Sequence, residues 1–269
     1  MRIGYVQFRP ELGFPEKTRQ RLTAMLAGID RADLLVLPEL CNSGYRFESP
    51  EQARELSEEV GRGPFSALLH QQCRRLDCHI ISGLNERDGD RLYNTAVLVG
   101  PDGVVGSYRK LHLFVDEKDV FTPGDLGLPV YDIGICRVGM QVCFDWVFPE
   151  TWRVLALKGA DVIGHPANLV LPGFCQQAVP VHALVNRVFA VTANRIGLER
   201  DLLFTGASVI ADPRGRVLAQ APPDREEVQL VEADVKAARD KTVTPRNDVF
   251  RDRRPEEYGL LTETRRERE

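Results

Sequence analysis

The spacing of apolar residues along the chain predicts alternating strands and helices. Residues 34–37 form a continuous apolar run without polar alternation, which is typical of a strand buried on both faces. Apolar residues recur at intervals of three and four on either side of this run, so a helix is expected before it and after it. These residues are Leu22, Met25, Leu26 and Ile29, then Phe65, Leu68, Leu69, Cys73 and Leu76. Strands covered by helices are the pattern of a layered α/β protein.

The middle of the chain reads as antiparallel strands, after which strands and helices alternate again. Apolar runs at 79–84, 92–99 and 104–108 are separated by turn sequences and predict a small meander. Strand and helix patterns alternate through 130–194, and a hairpin and a last strand occupy 208–231. The order of these segments supports the α/β class.

The chain ends in a segment of different composition. No break in composition marks a linker before it, so residues 1–245 are predicted to form one domain. Residues 246–269 are rich in arginine and poor in aromatic residues, and such a segment cannot bury enough apolar surface to fold alone. We expect this tail to be either frayed or packed on a partner subunit.

The charge balance excludes some classes of function. The 269 residues include 35 lysines and arginines and 39 aspartates and glutamates, a net charge of -4, so there is no basic excess for binding nucleic acid or anionic membrane. No stretch approaches the ~18 apolar residues of a membrane span. The expected partner is a small molecule or another protein chain.

The cysteines and histidines do not form a disulfide or metal pattern. Six cysteines are scattered without CxxC spacing, and a chain of this size does not depend on disulfides, so we interpret them as reduced thiols of a cytoplasmic protein. The five histidines do not follow zinc-ligand spacing. We therefore predict neither a metal nor a cofactor.

Cys143 is the first candidate for chemistry. An apolar run ends at this residue, and Pro149 and Glu150 then favour the first turn of a helix. A thiol near a helix N-terminus with a lysine close by has a pKa lowered from about 8.5 to roughly 3.5–7.5, and the resulting thiolate is a nucleophile. A lone cysteine at the end of a buried strand is more often an inert core residue, so other residues must decide.

Two further reactive side chains also follow predicted strands. Glu39 comes directly after the run at 34–37, where a carboxylate is either a helix cap or a site residue. Lys110 follows the strand at 104–108. A nucleophilic thiol requires a group that transfers protons and a cation that stabilises the developing oxyanion. Because strand ends in α/β proteins often meet where ligands bind, these two residues and Cys143 are expected to form one site.

Three motifs resemble those of the nitrilase, or carbon–nitrogen hydrolase, superfamily, and they occur in that family's order. They are Leu-Pro-Glu-Leu at 37–40, Tyr-Arg-Lys-Leu-His-Leu at 108–113, and Gly-Met-Gln-Val-Cys-Phe-Asp at 139–145 with Phe-Pro-Glu at 148–150. Glu117 is similar to the family's second, positioning glutamate. The resemblance extends from the opening strand, with Gln7, to Asn247 and Asp248. The presence of all the motifs together indicates this family far more specifically than any single motif does.

The resemblance implies a fold and a division of roles. The family fold is a four-layer α-β-β-α sandwich, which stacks as αββα-αββα in a homodimer or a larger assembly. By the same resemblance Cys143 attacks the substrate carbon, and Lys110 and the backbone N–H of Phe144 stabilise the negative charge. Glu39 transfers protons, Glu117 holds the lysine and the leaving group, and water completes the hydrolysis.

Aromatic residues near the motifs are candidates for the walls of the substrate pocket. They are Tyr45, Phe114, Trp146 and Phe148, although any one such residue is more often part of the core. A pocket closed by aromatic residues would raise the pKa of Glu39 from about 4.3 and make it a usable general acid at neutral pH.

The resemblance leaves the substrate class open. Short chains of this superfamily are mostly amidases or carbamoyl-amide hydrolases, and a small aliphatic amide is our first expectation. The segment 165–172, His-Pro-Ala-Asn-Leu-Val-Leu-Pro, resembles the short archaeal-type aliphatic nitrilases, which makes a small aliphatic nitrile or dinitrile the second and Asn168 a candidate substrate contact. This segment has no arginine pair for a substrate carboxylate, so N-carbamoyl amides are less favoured.

Two hypotheses from other classes of function stay open. The fold could serve as a catalytically silent interaction scaffold, because a fold alone does not grant function. The presence of Glu39, Lys110 and Cys143 together argues against that interpretation. A thiol protease would require a histidine base, and no histidine here stands in a recognisable partner motif.

Overall fold

The computed structural model of the protein describes residues 1–263, which form two six-stranded sheets, two small hairpins and seven α-helices. The strands are β1 Arg2–Gln7, β2 Leu34–Val36, β3 His79–Asp88, β4 Arg91–Gly100, β5 Gly103–Arg109, β6 Val130–Asp132, β7 Arg137–Met140, β8 Val162–Ala167, β9 Phe189–Asn194, β10 Ile196–Glu199, β11 Leu202–Thr205, β12 Val209–Ala211, β13 Val217–Gln220, β14 Glu227–Glu232, β15 Thr242–Thr244 and β16 Asn247–Asp248. The helices are α1 Pro15–Ala27, α2 Pro50–Glu55, α3 Pro64–Leu76, α4 Glu117–Val120, α5 Pro149–Leu157, α6 Phe174–Asn186 and α7 Val235–Arg239. None of these helices in the described part of the chain is both long enough and apolar enough to cross a bilayer.

The first sheet has the strand order β14-β1-β2-β3-β4-β5. β1, β2 and β3 run parallel, whereas β4, β5 and β14 pair antiparallel with their neighbours. Helices α1 and α3 cover its outer face, because their apolar stripes pack into a core cluster with the sheet. Leu22, Leu26, Phe65 and Leu69 contribute to this cluster, and the predicted helices are confirmed.

The second sheet has the order β13-β12-β9-β8-β7-β6 and packs face to face against the first. One core cluster contains Val36 and Ile81 of the first sheet together with Ile163 and Val191 of the second. Gly164 allows the close approach of the sheets, since a Cβ there would lie 2.2 Å from Ile81 Cδ1.

Helices α5 and α6 complete the architecture on the outer face of the second sheet. Trp152 and Leu155 of α5 and Val179 and Ala183 of α6 are buried in the same core cluster as the sheets. The order helix, sheet, sheet, helix confirms the predicted four-layer sandwich. The stacking of two such sandwiches in a dimer stays a prediction.

The chain after α7 lies beside α5 and α6. Lys241 Nζ donates hydrogen bonds to the carbonyl oxygens of Asn186, at 3.3 Å, and Arg187, at 2.7 Å, and so caps the C-terminus of α6. The guanidinium of Arg153 on α5 lies 5.5 Å from the ring centroid of Phe250. The start of the predicted tail therefore packs on its own domain. The boundary after residue 245 stays a prediction, and residues 264–269 lie outside the described part.

Candidate active site

Four predicted site residues are positioned by the ends of three strands. Glu39 lies just past β2, Lys110 follows β5 directly and Cys143 lies just past β7. Glu117 opens the short helix α4 in the loop after β5. Because β2 and β5 belong to the first sheet and β7 to the second, the site is assembled from both sheets at the carboxyl ends of their strands.

Lys110 is held between two carboxylates. Its Nζ donates to Glu39 Oε1 at 2.8 Å and to Glu117 Oε1 at 2.7 Å. Lys110 and Glu39 are fully buried, and Glu117 is only 5% exposed. Buried charges of this kind are tolerated only when they are paired and hydrogen-bonded. The cluster holds two acidic groups and one basic group, so one carboxylate is in excess.

Burial and the neighbouring charges shift the proton affinities of the cluster. Burial raises the pKa of Glu39 above its usual value, the Lys110 ammonium works against this rise, and the Glu117 carboxylate adds to it. Burial by itself would lower the pKa of Lys110, but the Glu117 and Glu39 carboxylates outweigh it and raise that pKa. Lys110 therefore stays an ammonium at neutral pH, and Glu39 takes up a proton more readily than an exposed glutamate.

Glu39 has one occupied and one free carboxylate oxygen. Oε1 accepts hydrogen bonds from Lys110 and from Asn94 Nδ2, the latter at 2.6 Å. Oε2 is buried and has no hydrogen-bond partner among the described residues. A buried acceptor without a partner is costly, so such an atom in a native structure calls for an explanation. An acceptor reserved for substrate or water explains it.

Glu117 is fixed by two residues that the sequence suggested as pocket walls. The Tyr45 hydroxyl donates to Glu117 Oε1 at 2.7 Å, and the backbone N–H of Phe114 donates to Oε2 at 3.2 Å. Both oxygens are therefore engaged, and the carboxylate that contacts Lys110 cannot turn away from it.

Cys143 opens a 3₁₀ turn, Cys143–Val147, and does not stand at the start of α5. α5 begins at Pro149, as predicted, and the 3₁₀ turn separates Cys143 from the N-terminus of that helix. The backbone of Cys143 is left-handed, with φ +44°. This conformation is costly for a residue other than glycine and is concentrated at functional sites.

The expected low pKa of the Cys143 thiol is wrong. Burial raises the pKa of Cys143 well above its usual value, and the Glu39 carboxylate raises it further, against the effect of the Lys110 ammonium. Cys143 is therefore a neutral thiol at pH 7, and it must lose its proton in order to react. Glu39 is the charged group that acts most strongly on it.

Asp145 ties the Cys143 turn to the end of β5, and the sequence analysis did not single it out. This fully buried carboxylate accepts hydrogen bonds at Oδ2 from the Val142 backbone N–H, at 2.9 Å, and the Tyr108 hydroxyl, at 2.7 Å. Its Oδ1 accepts from the backbone N–H of His112 at 3.2 Å and contacts His112 Nδ1 at 2.7 Å. The sequence could have indicated the role of Asp145, because it is a charged residue two positions after Cys143 within the same motif.

His165 fixes the carbonyl group of Cys143. Its Nε2 lies 2.8 Å from the Cys143 carbonyl oxygen, and its Nδ1 lies 3.0 Å from Thr192 Oγ1. A carbonyl oxygen only accepts, so Nε2 carries the proton and Nδ1 accepts from the Thr192 hydroxyl. Burial lowers the pKa of His165 to about 4, which keeps the ring neutral at pH 7.

A cavity of about 220 Å³ touches the charged cluster at Glu117, whereas Lys110, Glu39 and Cys143 are not among its lining residues. The predicted wall residues Tyr45 and Phe114 line it. Trp146 does not line it, because this side chain is half-buried against the hydrophobic core. Phe148 instead stacks on His112, with ring centroids 3.5 Å apart, and lies outside the cavity.

Asn168 and Phe144 supply polar groups next to Cys143. Asn168 Nδ2 donates to the carbonyl oxygen of Glu39 at 3.1 Å, while its buried Oδ1 has no partner within residues 1–263. Phe144 is the second residue of the 3₁₀ turn, where the first backbone N–H groups have no acceptor inside the turn. The described residues show no group of three or more His, Cys, Asp or Glu side chains placed to hold a metal ion.

Known proteins match the chain over nearly its whole length. The sequence model of the carbon–nitrogen hydrolase family matches residues 2–241. A nitrilase from Pyrococcus abyssi is 46% identical over 260 residues, covering 96% of this chain and 99% of that protein. An (R)-stereoselective amidase from Pseudomonas sp. is 37% identical, covering 98% of this chain and 95% of that protein.

A solved structure agrees with the sequence matches. A mutant of the amidase from Nesterenkonia sp. AN1 has a TM-score of 0.80 and 25% identity to this chain, covering 97% of this chain and 99% of that one. That structure shows the result of Michael addition of acrylamide at the active-site cysteine. With the four-layer sandwich, the family match and these relatives in agreement, the chain belongs to the carbon–nitrogen hydrolase family and is a hydrolase of the amidase or nitrilase type.

Proposed function

We propose that this hydrolase cleaves small aliphatic amides to a carboxylic acid and ammonia through a thioester on Cys143. The observation that carries the proposal is the buried cluster in which Lys110 Nζ lies 2.8 Å from Glu39 and 2.7 Å from Glu117. The charges of all three groups act on the Cys143 thiol. A nucleophile, a proton-transfer group and a fixed cation are the parts that acyl transfer requires.

The first step joins sulfur to carbon. Cys143 Sγ attacks the amide carbonyl carbon while its proton passes to Glu39, whose raised pKa makes the carboxylate a stronger base than an exposed glutamate. The carbonyl oxygen becomes an oxyanion. The Lys110 ammonium and the backbone N–H of Phe144 stabilise its charge in a site from which water is largely excluded.

The second step breaks the bond between carbon and nitrogen. The oxyanion collapses to a carbonyl, and the nitrogen takes the proton from Glu39 and leaves as ammonia. The thioester stays on Cys143. The free Oε2 of Glu39 and the free Oδ1 of Asn168 are buried acceptors suited to the two N–H groups of the leaving amide.

Water completes the cycle. It gives a proton to Glu39 as its oxygen attacks the thioester carbon, and the carbon–sulfur bond then breaks to release the acid. Sulfur recovers the proton from Glu39. Throughout, Glu117 holds Lys110 in position, because its two oxygens are bound by Lys110, Tyr45 and the Phe114 backbone.

A small aliphatic nitrile is the second candidate substrate, favoured by the 46% identity to a nitrilase. The thiol would add to the nitrile carbon to give a thioimidate, and water would then replace the nitrogen and release ammonia. The product thioester is the same, so the cluster serves both reactions. N-carbamoyl amides are a third and less favoured class.

Parallel panels of small amides, nitriles and N-carbamoyl compounds, with ammonia as the readout, test the proposal. We expect ammonia from small aliphatic amides and none from the Cys143→Ala variant. Faster release from nitriles would move the assignment to the second candidate. Release from none of the panels, with a folded protein, would contradict the proposal and favour the scaffold hypothesis.

We also propose that the protein forms a homodimer through the outer face of α6. Phe174, Val181, Leu184 and Val185 are exposed on this helix, and exposed apolar patches mark interaction surfaces. The family resemblance, which implies dimerisation across helices, supports the proposal. Light scattering should give twice the mass of the 30.2 kDa chain, and a monomer at all concentrations would contradict the proposal.

A cytoplasmic location is part of the same proposal. All six cysteines are buried free thiols, which suits a reducing compartment. Fractionation of cells that make the protein tests it, and recovery of the protein in the secreted fraction would contradict it.

A further inference from the structure

The mouth of the 220 Å³ cavity combines apolar walls with one cation. Phe47, Val120, Phe121, Val170 and Leu202 supply most of the apolar lining. Among the described residues that line the cavity, Arg46 carries the one positive charge. An arginine at such a place would ordinarily bind a carboxylate on the substrate through two parallel hydrogen bonds.

Two of the three guanidinium nitrogens of Arg46 already donate hydrogen bonds to carboxylates. Its Nε donates to Asp201 Oδ1 at 3.2 Å, and its Nη1 donates to Asp116 Oδ2. Asp116 lines the cavity, and Asp201 precedes the lining residue Leu202. The three side chains carry one positive and two negative charges, so the rim presents an excess of negative charge to an incoming substrate.

The backbone below Arg46 is held by a buried ion pair. Glu199 Oε1 accepts hydrogen bonds from the backbone N–H groups of Tyr45, at 2.9 Å, and Arg46, at 2.7 Å. Glu199 Oε2 in turn binds Arg195 Nη1 at 2.7 Å, and both side chains are buried. The base of Arg46 is therefore fixed, while its guanidinium is held only by two exposed carboxylates.

The interior of the site also carries an excess of negative charge. The Glu39, Lys110 and Glu117 cluster also contains one more acidic group than basic groups. An amide whose acyl chain carries a carboxylate would meet negative charge at both ends of the cavity, and the one cation among the described lining residues, Arg46, is already paired with Asp116 and Asp201. An amide with an uncharged acyl chain contacts the apolar lining and has no unfavourable charge interaction at the rim.

We propose that Arg46 is a specificity-determining residue that Asp116 and Asp201 withhold from the substrate, so that the site accepts uncharged acyl groups and rejects acyl chains bearing a carboxylate. This inference rests on the proposed hydrolysis of amides or nitriles. It predicts that releasing Arg46 from its two partners creates a carboxylate-binding subsite at the mouth of the cavity.

The test compares two substrates of similar length that differ in charge. Butyramide has an uncharged acyl chain, and succinamate replaces its terminal methyl group by a carboxylate; butyronitrile and 3-cyanopropanoate form the same pair for nitrile hydrolysis. In the double variant Asp116→Asn/Asp201→Asn, the ratio of kcat/KM for the anionic over the neutral substrate should rise about tenfold above wild type. Exposed ion pairs contribute little to stability, so this variant should stay folded by thermal unfolding.

Two controls separate Arg46 from a general change of charge. Glu51→Gln/Glu55→Gln removes two negative charges from exposed positions on α2, which contacts α4, and leaves the Arg46 pairs intact. It should leave the substrate ratio within about twofold of wild type, because exposed charges act weakly across solvent. Adding Arg46→Gln to the Asp116 and Asp201 changes should return the substrate ratio to within about twofold of wild type.

The outcomes distinguish this inference from the proposed function. A ratio that does not rise in the double variant, that rises equally in the α2 control, or that stays high without Arg46 would overturn the inference while hydrolysis of the neutral substrate continues. If the wild-type protein hydrolyses neither the neutral amide nor the neutral nitrile, the proposed function itself fails, and the inference fails with it.

Discussion

Arg109 and Lys110 are adjacent in the chain but belong to opposite kinds of charged cluster. Successive residues of a strand point to opposite faces, so the two side chains diverge. All three guanidinium nitrogens of Arg109 donate hydrogen bonds, to Glu86, Asp88 and Asp125. This network lies partly at the surface and leaves no nitrogen of the arginine unused.

The Lys110 cluster is buried and incomplete. Its ammonium pairs with two carboxylates, and Glu39 Oε2 has no partner within the described residues. A saturated network stabilises the fold, whereas unpaired buried groups oppose folding and are retained where function requires them. The comparison therefore separates residues that serve stability from residues that serve chemistry.

Glu39→Gln should give the largest effect and should separate activity from stability. We expect ammonia release to fall at least about 1,000-fold, because Gln cannot transfer the proton. The folded pKa of Glu39 is raised, so its contribution to stability is present only below the unfolded pKa and is lost as pH rises through the folded pKa. At pH 7 the ionised group opposes folding, and urea unfolding should give an unchanged or higher free energy of unfolding for the variant.

The pH profile of the wild type checks the same residue. Activity requires ionised Glu39, so the acid limb of kcat/KM should lie above the pKa of about 4.3 of an ordinary glutamate. Near-normal rates in the Gln variant at every pH would contradict the role given to Glu39.

Glu86→Gln should lower stability and leave activity nearly unchanged, which is the opposite of the result expected for Glu39→Gln. Removing this carboxylate leaves the nearly buried Arg109 without its principal partner, and urea unfolding should give a loss of about 3 kcal/mol. The kcat of the folded variant should stay within about tenfold of wild type, because Glu86 does not contact the Lys110 cluster. A stable variant with greatly reduced kcat would contradict the assignment of the Arg109 network to stability and of the Lys110 cluster to catalysis.

His165 should make the stability of the protein sensitive to acid. Its folded pKa of about 4 lies below the ordinary value of 6.5, so its contribution is complete above pH 6.5 and is lost as pH falls toward 4. The loss should amount to about 3 kcal/mol of unfolding free energy. Urea unfolding at a series of pH values measures it, and His165→Gln should flatten the dependence. An equally steep dependence in the variant would exclude His165 as its source.

Of these variants, Tyr45→Phe should give the smallest change in free energy, which we expect to appear in kcat. The lost hydroxyl leaves Glu117 Oε1 with Lys110 alone, and a hydrogen bond to a charged group contributes about 1.5 kcal/mol, so kcat should fall about tenfold. Tyr93→Phe is the matched control, because its hydroxyl contacts Asp125 of the Arg109 network at 3.4 Å. Equal changes in kcat for both variants would show that the tyrosine at the cavity has no special part.

The positions of the reactive residues could be predicted because strand patterns are local. The apolar runs before Glu39, Lys110 and Cys143 indicate strands, and the carboxyl ends of these strands meet between the sheets. The four-layer order follows from the same alternation of strands and helices.

The electrostatics of the site could not be read in the same way. The pKa of Cys143 depends on burial and on Glu39, which lies far away in the sequence, and local spacing suggested the opposite shift. Likewise Arg46 is occupied by Asp116 and Asp201, which no short motif connects. Trp146 is aromatic and close to the cysteine, yet it lies in the 3₁₀ turn that precedes α5 and packs against the hydrophobic core.

Acyl transfer to a single sulfur atom can be observed directly. Wild-type protein mixed with a small amide or nitrile that it hydrolyses, and quenched with acid during turnover, should gain the mass of the acyl group on the peptide that contains Cys143. Cys143→Ala should remain folded, gain no mass and release no ammonia. An acyl group on another residue, or continued release of ammonia by the alanine variant, would contradict the account.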